Sequence, residues 1–310
     1  MSATLRVILN PSAGAGATSR KIPLLEAALK RHGLSYECVQ TERKGHATEL
    51  ARAAVRDGVD TIGIVGGDGT LNEVVQAYID EEGNALKGPA LAMLPSGTGG
   101  DFKRTLGLSG NLDEAVAKLA SGGARSVDLG VITFEKPREG ETKIRAFANI
   151  ASFGLAGHIV KAADPLKWLG GRLGFLAATL KELVRYENAP VRVRVDGELF
   201  YEGPIVNVII ANGRYFGGGM KIAPAAELGD GLFDVVILGN LSRMRSASLT
   251  KKIYEGTHVG EPGIVTCRGS FVEAEPVHPW VRLPCETDGE QPGSAPLTAR
   301  LNKSALMFRN

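Results

Sequence analysis

The first 125 residues alternate short apolar segments with amphipathic ones. The apolar segments have the length of buried strands and lie at 5–9, 36–40, 61–65 and 90–94. The amphipathic segments, at 18–31, 45–58, 71–79 and 112–119, carry apolar residues at helical spacing. This repeated βα order predicts an α/β domain, with a mostly parallel sheet and helices on its faces.

After about residue 126 the pattern changes to strands with few helices between them. Strand-like segments lie at 127–134, 191–195, 205–211, 233–238, 264–267 and 271–274, and one helical stretch covers 161–186. Asp196-Gly197, between two alternating runs, predicts a two-residue hairpin turn. We therefore expect an antiparallel second half and two domains, 1–125 and 126–310, with the last residues free to return to the first domain.

Composition and charge exclude several classes of protein. The 310 residues are 44% hydrophobic, and 36 basic residues nearly balance 34 acidic ones, which is typical of a globular protein and argues against a nucleic-acid binder. No uncharged stretch approaches the ~20 residues of a membrane-spanning helix, and the first residues do not have the plan of a signal peptide. Cys38, Cys267 and Cys285 are scattered and without metal-ligand spacing, so we expect a reduced, cytoplasmic compartment.

Glycine is unusually frequent, with 40 residues, and three glycine-rich loops directly follow predicted strands. These loops lie at 10–16, 66–70 and 95–101, and the carboxyl ends of parallel strands meet at one rim of a sheet. Glycine lets backbone N–H groups approach a phosphate, and a helix N-terminus behind the loop favours an anion. No loop has the Walker A or the dinucleotide glycine pattern. Asp68 and Asp101 would repel bare phosphate, so the loops predict a nucleotide with Mg²⁺.

Eight motifs follow one another along the chain. In the first half they are Asn10-Pro11-Ser12-Ala13-Gly14, Thr41 with 45–51, Gly66-Gly67-Asp68-Gly69-Thr70-Leu71-Asn72-Glu73, and Pro95-Ser96-Gly97-Thr98 with Asp101-Phe102. In the second half they are Asp128-Leu129-Gly130, the block 211–219, Asp230-Gly231-Leu232 and Asp288-Gly289-Glu290. This ordered set resembles the diacylglycerol kinase catalytic-domain family, the bacterial lipid kinases related to sphingosine and ceramide kinases.

The resemblance implies a Rossmann-like N-terminal α/β domain similar to those of NAD kinases and phosphofructokinases, a C-terminal antiparallel β-sandwich, and an active site in the cleft between them. It also implies the ATP contacts, which fall on Asn10, Pro11, Ser12, Ala13, Gly14, Thr41, Gly66, Gly67, Asp68, Gly69, Thr70, Leu71, Asn72, Ser96, Gly97 and Thr98.

The resemblance further implies roles for acidic residues. Asp68, Asp101 and Asp128 match a water-linked catalytic Mg²⁺ network, and Asp288 or Glu290 matches the general base. A structural Mg²⁺ site falls on Glu227, Asp230 and Leu232. From the residues alone, Asp288-Gly289 and Asp230-Gly231 are each also compatible with an ordinary turn between two strands that has no role in chemistry. The sequence departs from the family pattern at Gly100, where Asn is usual, and at Gly229, where a second Asp is common.

The expected activity is ATP- and Mg²⁺-dependent phosphorylation of a lipid hydroxyl, with diacylglycerol as the default acceptor. Two alternatives stay open: an NAD-kinase-like phosphotransferase with a soluble acceptor, and a nucleotide-binding sensor without turnover. A lipid acceptor implies peripheral contact with the inner membrane surface. The segment 165–176 mixes Trp, Phe and Leu with Lys and Arg, which is typical of an interfacial element but also of a helix packed on the β-domain. A homodimer is also left open.

Overall fold

The computed structural model describes residues 5–14, 18–95, 100–135, 137, 143–163, 165 and 171–309, without the side chains of 19, 171–173, 175, 176 and 180. The chain divides into two compact units, one of residues 1–129 and 302–310, the other of residues 130–301. The sequence placed the boundary near residue 125.

The first unit contains the predicted βα repeats. Its strands are β1 (Leu5–Leu9), β2 (Tyr36–Gln40), β3 (Thr61–Gly66) and β4 (Ala90–Pro95). Its helices are α1 (Ile22–Arg31), α2 (His46–Arg56), α3 (Asp68–Val75), α4 (Asp101–Leu106) and α5 (Leu112–Ser121). The four strands are parallel in the order β2-β1-β3-β4. The prediction of a parallel α/β sheet is confirmed.

Small differences from the prediction in this unit have local causes. The helix expected from Thr18 begins at Ile22, after a 3₁₀ turn at Ser19–Lys21, because Pro23 suits a first helical turn. The short helix α4 was not predicted, because six residues are too few for a periodic pattern. One sheet face is covered by α1 and α5, which bury Leu29 and Val116 against the strands.

The second unit is an antiparallel β structure. The chain enters it within β5 (Ala124–Phe134) and leaves it within β16 (Leu297–Arg309). Its other strands are β6 (Ile144–Phe147), β7 (Ile150–Gly154), β8 (Ala189–Val195), β9 (Glu198–Ile205), β10 (Asn207–Ala211), β11 (Phe233–Leu238), β12 (Ile264–Gly269), β13 (Phe271–Pro276), β14 (Leu283–Thr287) and β15 (Glu290–Ala295). One sheet has the order β12-β11-β10-β7-β14-β15. A second path joins the start of β16 to β13, β8 and β9.

The core of this unit lies between the two sheets. Phe153 and Val208 of the six-stranded sheet and Val193 and Val272 of the other belong to one buried apolar cluster. This packing of inner faces is that of a β-sandwich, so the expected class of the second half is confirmed. The predicted Asp196-Gly197 turn is confirmed as well, since it joins β8 to β9.

One helix prediction in the second half was wrong, and one helix was not predicted. The single helix expected at 161–186 is two helices, α6 (Leu155–Ala163) and α7 (Gly171–Arg185). The helix α8 (Arg243–Glu255) was missed because it is polar, with Leu249 and Ile253 as its buried residues. Ser242 caps it by accepting the N–H of Arg245.

Candidate functional site

The ends of the four parallel strands lie at one edge of their sheet. Leu9 is in register with Gln40 on one side and with Val65 on the other, and Val65 is in register with Leu94. Asn10, Thr41 and Gly67, which follow the first three strands, are therefore neighbours along this edge, as the sequence predicted. The amide of Asn10 continues the ladder to the Val65 carbonyl at 2.9 Å.

The loops after β1 and β3 are joined by a hydrogen bond. Asn10 Nδ2 donates to Thr70 Oγ1 at 3.0 Å, and a Cβ on Gly66 would lie 2.3 Å from the same Oγ1. Glycine at 66 is therefore required so that Thr70, buried in the first turn of α3, can lie against the end of β3. Gly67 differs, since a Cβ there would meet nothing within 4 Å. The Gly67 backbone is open to a ligand.

Asp68 begins α3 and also caps α4. Its Oδ2 accepts the Asp101 N–H at 2.7 Å, and its Oδ1 lies 3.4 Å from the Phe102 nitrogen. A carboxylate at a helix N-terminus is favourable, and this contact connects the loop after β3 to the start of α4. Gly100 precedes this cap with φ +135°, a conformation that favours glycine over a residue with a side chain such as Asn.

A group of cations lies near Asp68. Burial, followed by the charges of Arg104 and Lys21, lowers the pKa of Lys103, while Asp68 opposes that shift. Like charges so placed repel one another, and a bound polyanion relieves that repulsion. The sequence analysis missed Lys21 and Lys103, although Lys103 lies two residues after Asp101 in the α4 turn.

The other two acids of the predicted magnesium network are more buried. Asp101 forms an ion pair of 2.8 Å with Arg104, one turn later on α4. Asp128 is fully buried on β5, where its Oδ1 accepts the Ser304 N–H at 2.6 Å. Asp68, which is only half-buried, is the most accessible of the three carboxylates.

The remaining predicted ATP contacts are placed as follows. Residues 11–14 form a turn after β1, in which the Ser12 amide donates to Asn10 Oδ1 and Ala13 N–H to the Asn10 carbonyl. Thr41 donates its N–H to the Leu9 carbonyl and is buried. Gly69 is exposed, while the side chains of Leu71 and Asn72 are buried inside the unit. Ser96, Gly97 and Thr98 lie outside the described residues.

Glu73, which the motif contained without an assigned role, has a structural function. Its carboxylate accepts the N–H groups of Gly45 and Ala47 at the start of α2, and its carbonyl accepts the Thr48 hydroxyl. Gly45, with φ of 81°, makes the entry to α2 possible. Glu73 thus fixes the loop after Thr41 to α3.

In the second unit, the Asp288-Gly289-Glu290 motif is a hairpin between β14 and β15. Asp288 and Gly289 have φ of 49° and 85°, so both are left-handed. The Asp288 carboxylate accepts the N–H groups of residues 148, 149 and 150 at 2.9–3.1 Å. Glu290 starts β15 and is half-buried. The turn interpretation is therefore correct.

Beneath this turn lies an acid that the sequence analysis did not select. Glu286 is 4% exposed, and its oxygens accept the Ser152 hydroxyl at 2.7 Å and the Gly289 amide at 2.9 Å. Burial raises the pKa of Glu286 to about 7. No sequence signal marks it, because a Glu in a short strand is typically solvent-facing.

The predicted structural metal site contains an ion pair. Asp230 accepts the Leu232 N–H and pairs with the Arg268 guanidinium, while Glu227 is exposed. Burial, followed by the charge of Glu227, raises the pKa of Asp234 to about 6. Within the described parts of the chain, no group of three or more His, Cys, Asp or Glu side chains is arranged to hold a metal ion. Arg268 supplies the positive charge at this turn.

The fold and the strand-end loops define a class, the two-unit kinases with an α/β domain and a β-sandwich domain. The diacylglycerol kinase catalytic domain matches residues 4–132, and the YegS C-terminal NAD kinase beta sandwich-like domain matches residues 149–308. The chain belongs to the family of diacylglycerol kinases and YegS-type lipid kinases. Membership makes it a kinase, and kinases of this family use ATP.

Individual relatives agree with this assignment. A "Probable lipid kinase YegS-like" protein of Xanthomonas euvesicatoria pv. vesicatoria is 32% identical over 290 residues, which cover 92% of this chain and 89% of that protein. A "Diacylglycerol kinase" of Staphylococcus carnosus is 26% identical over 292 residues, covering 94% and 90%. The crystal structure of a diacylglycerol kinase from Bacillus anthracis str. Sterne has a TM-score of 0.69 at 23% identity, covering 99% of this chain and 96% of that one.

Proposed function

We propose that this protein transfers the γ-phosphoryl group of ATP to a lipid hydroxyl, with diacylglycerol as the default acceptor. The observation that carries the proposal is the alignment of Asn10, Thr41 and Gly66 at one sheet edge, beside the carboxylate of Asp68. The names of the relatives, diacylglycerol kinase and lipid kinase, supply the acceptor class.

The first unit binds the nucleotide in this proposal. The open Gly67 backbone and the N-terminus of α3 face the phosphates, and Lys103 with Lys21 neutralises their charge. Carboxylate oxygens are the ligands that Mg²⁺ prefers, and Asp68 fits because its half-buried carboxylate is fixed by backbone donors. Asp68 would hold the ion, and Asp101 and Asp128 would belong to the same water-linked network. The ion would offset charge on the phosphate oxygens.

The second unit supplies the base. Asp288 or Glu290 takes the proton of the acceptor hydroxyl while its oxygen forms a bond to the γ-phosphorus, and ADP leaves. Backbone N–H groups hold Asp288 in one orientation, as a positioned base requires. The turn at Asp230 remains a predicted structural Mg²⁺ site, in which the ion would displace Arg268.

A lipid acceptor places the reaction at a membrane surface. Among the described residues, no helix is long and apolar enough to cross a membrane. Peripheral contact at the inner surface therefore remains part of the proposal. In the segment predicted for that contact, 165–176, residues 166–170 lie outside the described residues, and the side chains of 171–173, 175 and 176 are not described.

The test is a transfer assay with radiolabelled ATP, Mg²⁺ and diacylglycerol in mixed micelles. Labelled phosphatidic acid, absent with Asp288→Ala and with EDTA, supports the proposal. Parallel reactions with ceramide, a sphingoid base and NAD identify other acceptors. Label on NAD alone, or ATP binding without any labelled product, would replace the proposal by one of the two alternatives.

A further inference from the structure

Glu286 holds the turn that carries Asp288. Gly289, the second residue of that turn, donates its N–H to Glu286 Oε2 at 2.9 Å. Ser152, on the adjacent strand β7, donates its hydroxyl to Glu286 Oε1 at 2.7 Å. Both carboxyl oxygens are therefore used to join the turn to β7. The three N–H groups that Asp288 accepts come from the segment leading into this same strand.

This arrangement has a destabilising component. Glu286 is almost fully buried, and burying a carboxyl group costs free energy unless it is well hydrogen-bonded. Burial and the nearby charge of Asp288 raise the pKa of Glu286, and no basic side chain among the described residues affects that pKa. A buried acid without a cationic partner is an unusual choice for a hairpin that needs only turn residues.

The chain contains a second hairpin that shows what such a turn requires. Asp196 and Gly197 join β8 to β9 with φ of 49° and 89°, nearly the values of Asp288 and Gly289. The Asp196 carboxylate also accepts N–H groups of a neighbouring segment, from Ser270 and Phe271. Two residues before Asp196 lies Arg194, which is exposed. The same turn thus forms without a buried acid beneath it.

We propose that Glu286 is a positioning residue, which fixes the Asp288-Gly289 turn through the Gly289 amide and Ser152 and so orients the Asp288 carboxylate toward the acceptor hydroxyl. This inference rests on the proposed function, because Asp288 has a hydroxyl to face only in that reaction. Glu286 itself does not contact the reacting atoms. Its effect is on the placement of Asp288, where displacement by about 1 Å can cost about 100-fold in rate.

The kinetic test compares Glu286→Ala, Glu286→Gln and Ser152→Ala with Asp196→Ala as the matched control. Assays run well below each melting midpoint, and rates are expressed per folded molecule. We expect Glu286→Ala to lower kcat by about 100-fold with an unchanged KM for ATP. Glu286→Gln should keep most of the wild-type kcat, because its side-chain amide can accept the Gly289 N–H and donate to the Ser152 hydroxyl. Ser152→Ala gives a smaller loss, and Asp196→Ala affects stability alone.

A second measurement does not depend on turnover. Hydrogen exchange of the peptide spanning 284–292 should be slow in the wild type and faster in Glu286→Ala, but unchanged in Asp196→Ala. An inactive wild type with this exchange pattern contradicts the proposed function, but it still supports the structural role of Glu286 in holding the Asp288-Gly289 turn. An active wild type in which Glu286→Ala keeps kcat, or in which Asp196→Ala loses as much, overturns the positioning role. If Glu286→Ala does not fold, Ser152→Ala decides: a lower kcat with an unchanged KM for ATP supports the positioning role, and an unchanged kcat overturns it.

Discussion

Asn10 and Thr70 are joined by a hydrogen bond of 3.0 Å, from Nδ2 of the first to Oγ1 of the second. The bond connects the end of β1 to the first turn of α3, and Thr70 is buried. This hydrogen bond therefore holds together two loops that the sequence predicted separately to bind phosphate.

Removing this hydrogen bond should destabilise the first unit. We expect Thr70→Val to lower the free energy of unfolding by about 1–2 kcal/mol, because the half-buried Asn10 amide loses its acceptor. Combined with Asn10→Ala, the loss should be smaller than the sum, with a coupling of about 1 kcal/mol. Urea denaturation measures both values. The pair Asn10→Ala and Thr250→Val, which share no contact, should be additive, and an additive Asn10/Thr70 pair would contradict the prediction.

The glycines at 66 and 67 should respond differently to alanine. Gly66→Ala places a methyl group 2.3 Å from Thr70 Oγ1 and should cost about 1–3 kcal/mol of stability by overpacking. Gly67→Ala meets nothing within 4 Å, so its melting temperature should stay near that of the wild type. Its ATP affinity should nevertheless fall, because the methyl group obstructs approach to the backbone. Thermal melts and ATP titration separate the two effects, and equal ATP affinity in Gly67→Ala would contradict nucleotide binding at this loop.

The sequence predicted the features that rest on local pattern. Strand periodicity gave β1 to β4, and the rule that parallel strand ends meet at one rim gave the proximity of Asn10, Thr41 and Gly66. Glu73 and Lys103 were not found, because their partners, Gly45 and Asp68, are distant in sequence. Glu286 was not found because the alternation of side chains along a strand does not show which face of the sheet is buried and which is exposed to solvent. Tertiary contacts, which no local pattern contains, decide these roles.

Asp68 should be needed for its charge more than for its cap. In Asp68→Asn the amide oxygen can still accept the Asp101 N–H, so α4 and the melting temperature should be preserved. Phosphoryl transfer should fall by about 100-fold or more, because a carboxylate that holds the metal has been lost. Asp113→Asn, at an exposed ion pair with Arg31, is the charge-matched control and should keep full activity. Comparable rates for the two variants would contradict the assignment.

Lys103 should contribute to ATP affinity through its charge. Its ammonium group is partly desolvated beside Arg104 and Lys21, an arrangement that a polyphosphate would stabilise. We expect Lys103→Met to weaken ATP binding about tenfold and to reduce its dependence on salt. Lys118→Met, on the exposed face of α5, removes the same charge elsewhere and should leave ATP affinity unchanged. Identical titrations for the two variants would mean that Lys103 is not a phosphate contact.

Glu286 should make stability fall as pH rises. Its pKa is about 7 in the folded protein against 4.5 for an ordinary Glu, so between these values the native state keeps a proton that the unfolded chain has lost. The folded state is then penalised progressively, by ~3 kcal/mol once the pH exceeds 7. Below pH 4.5 this penalty is absent, because both states are protonated. Glu286→Gln cannot ionise, so the difference in unfolding free energy between wild type and variant should move in favour of the variant across this window. Urea denaturation at a series of pH values measures this difference, and parallel curves for the two proteins would show that the Glu286 carboxyl ionises as easily in the fold as in water.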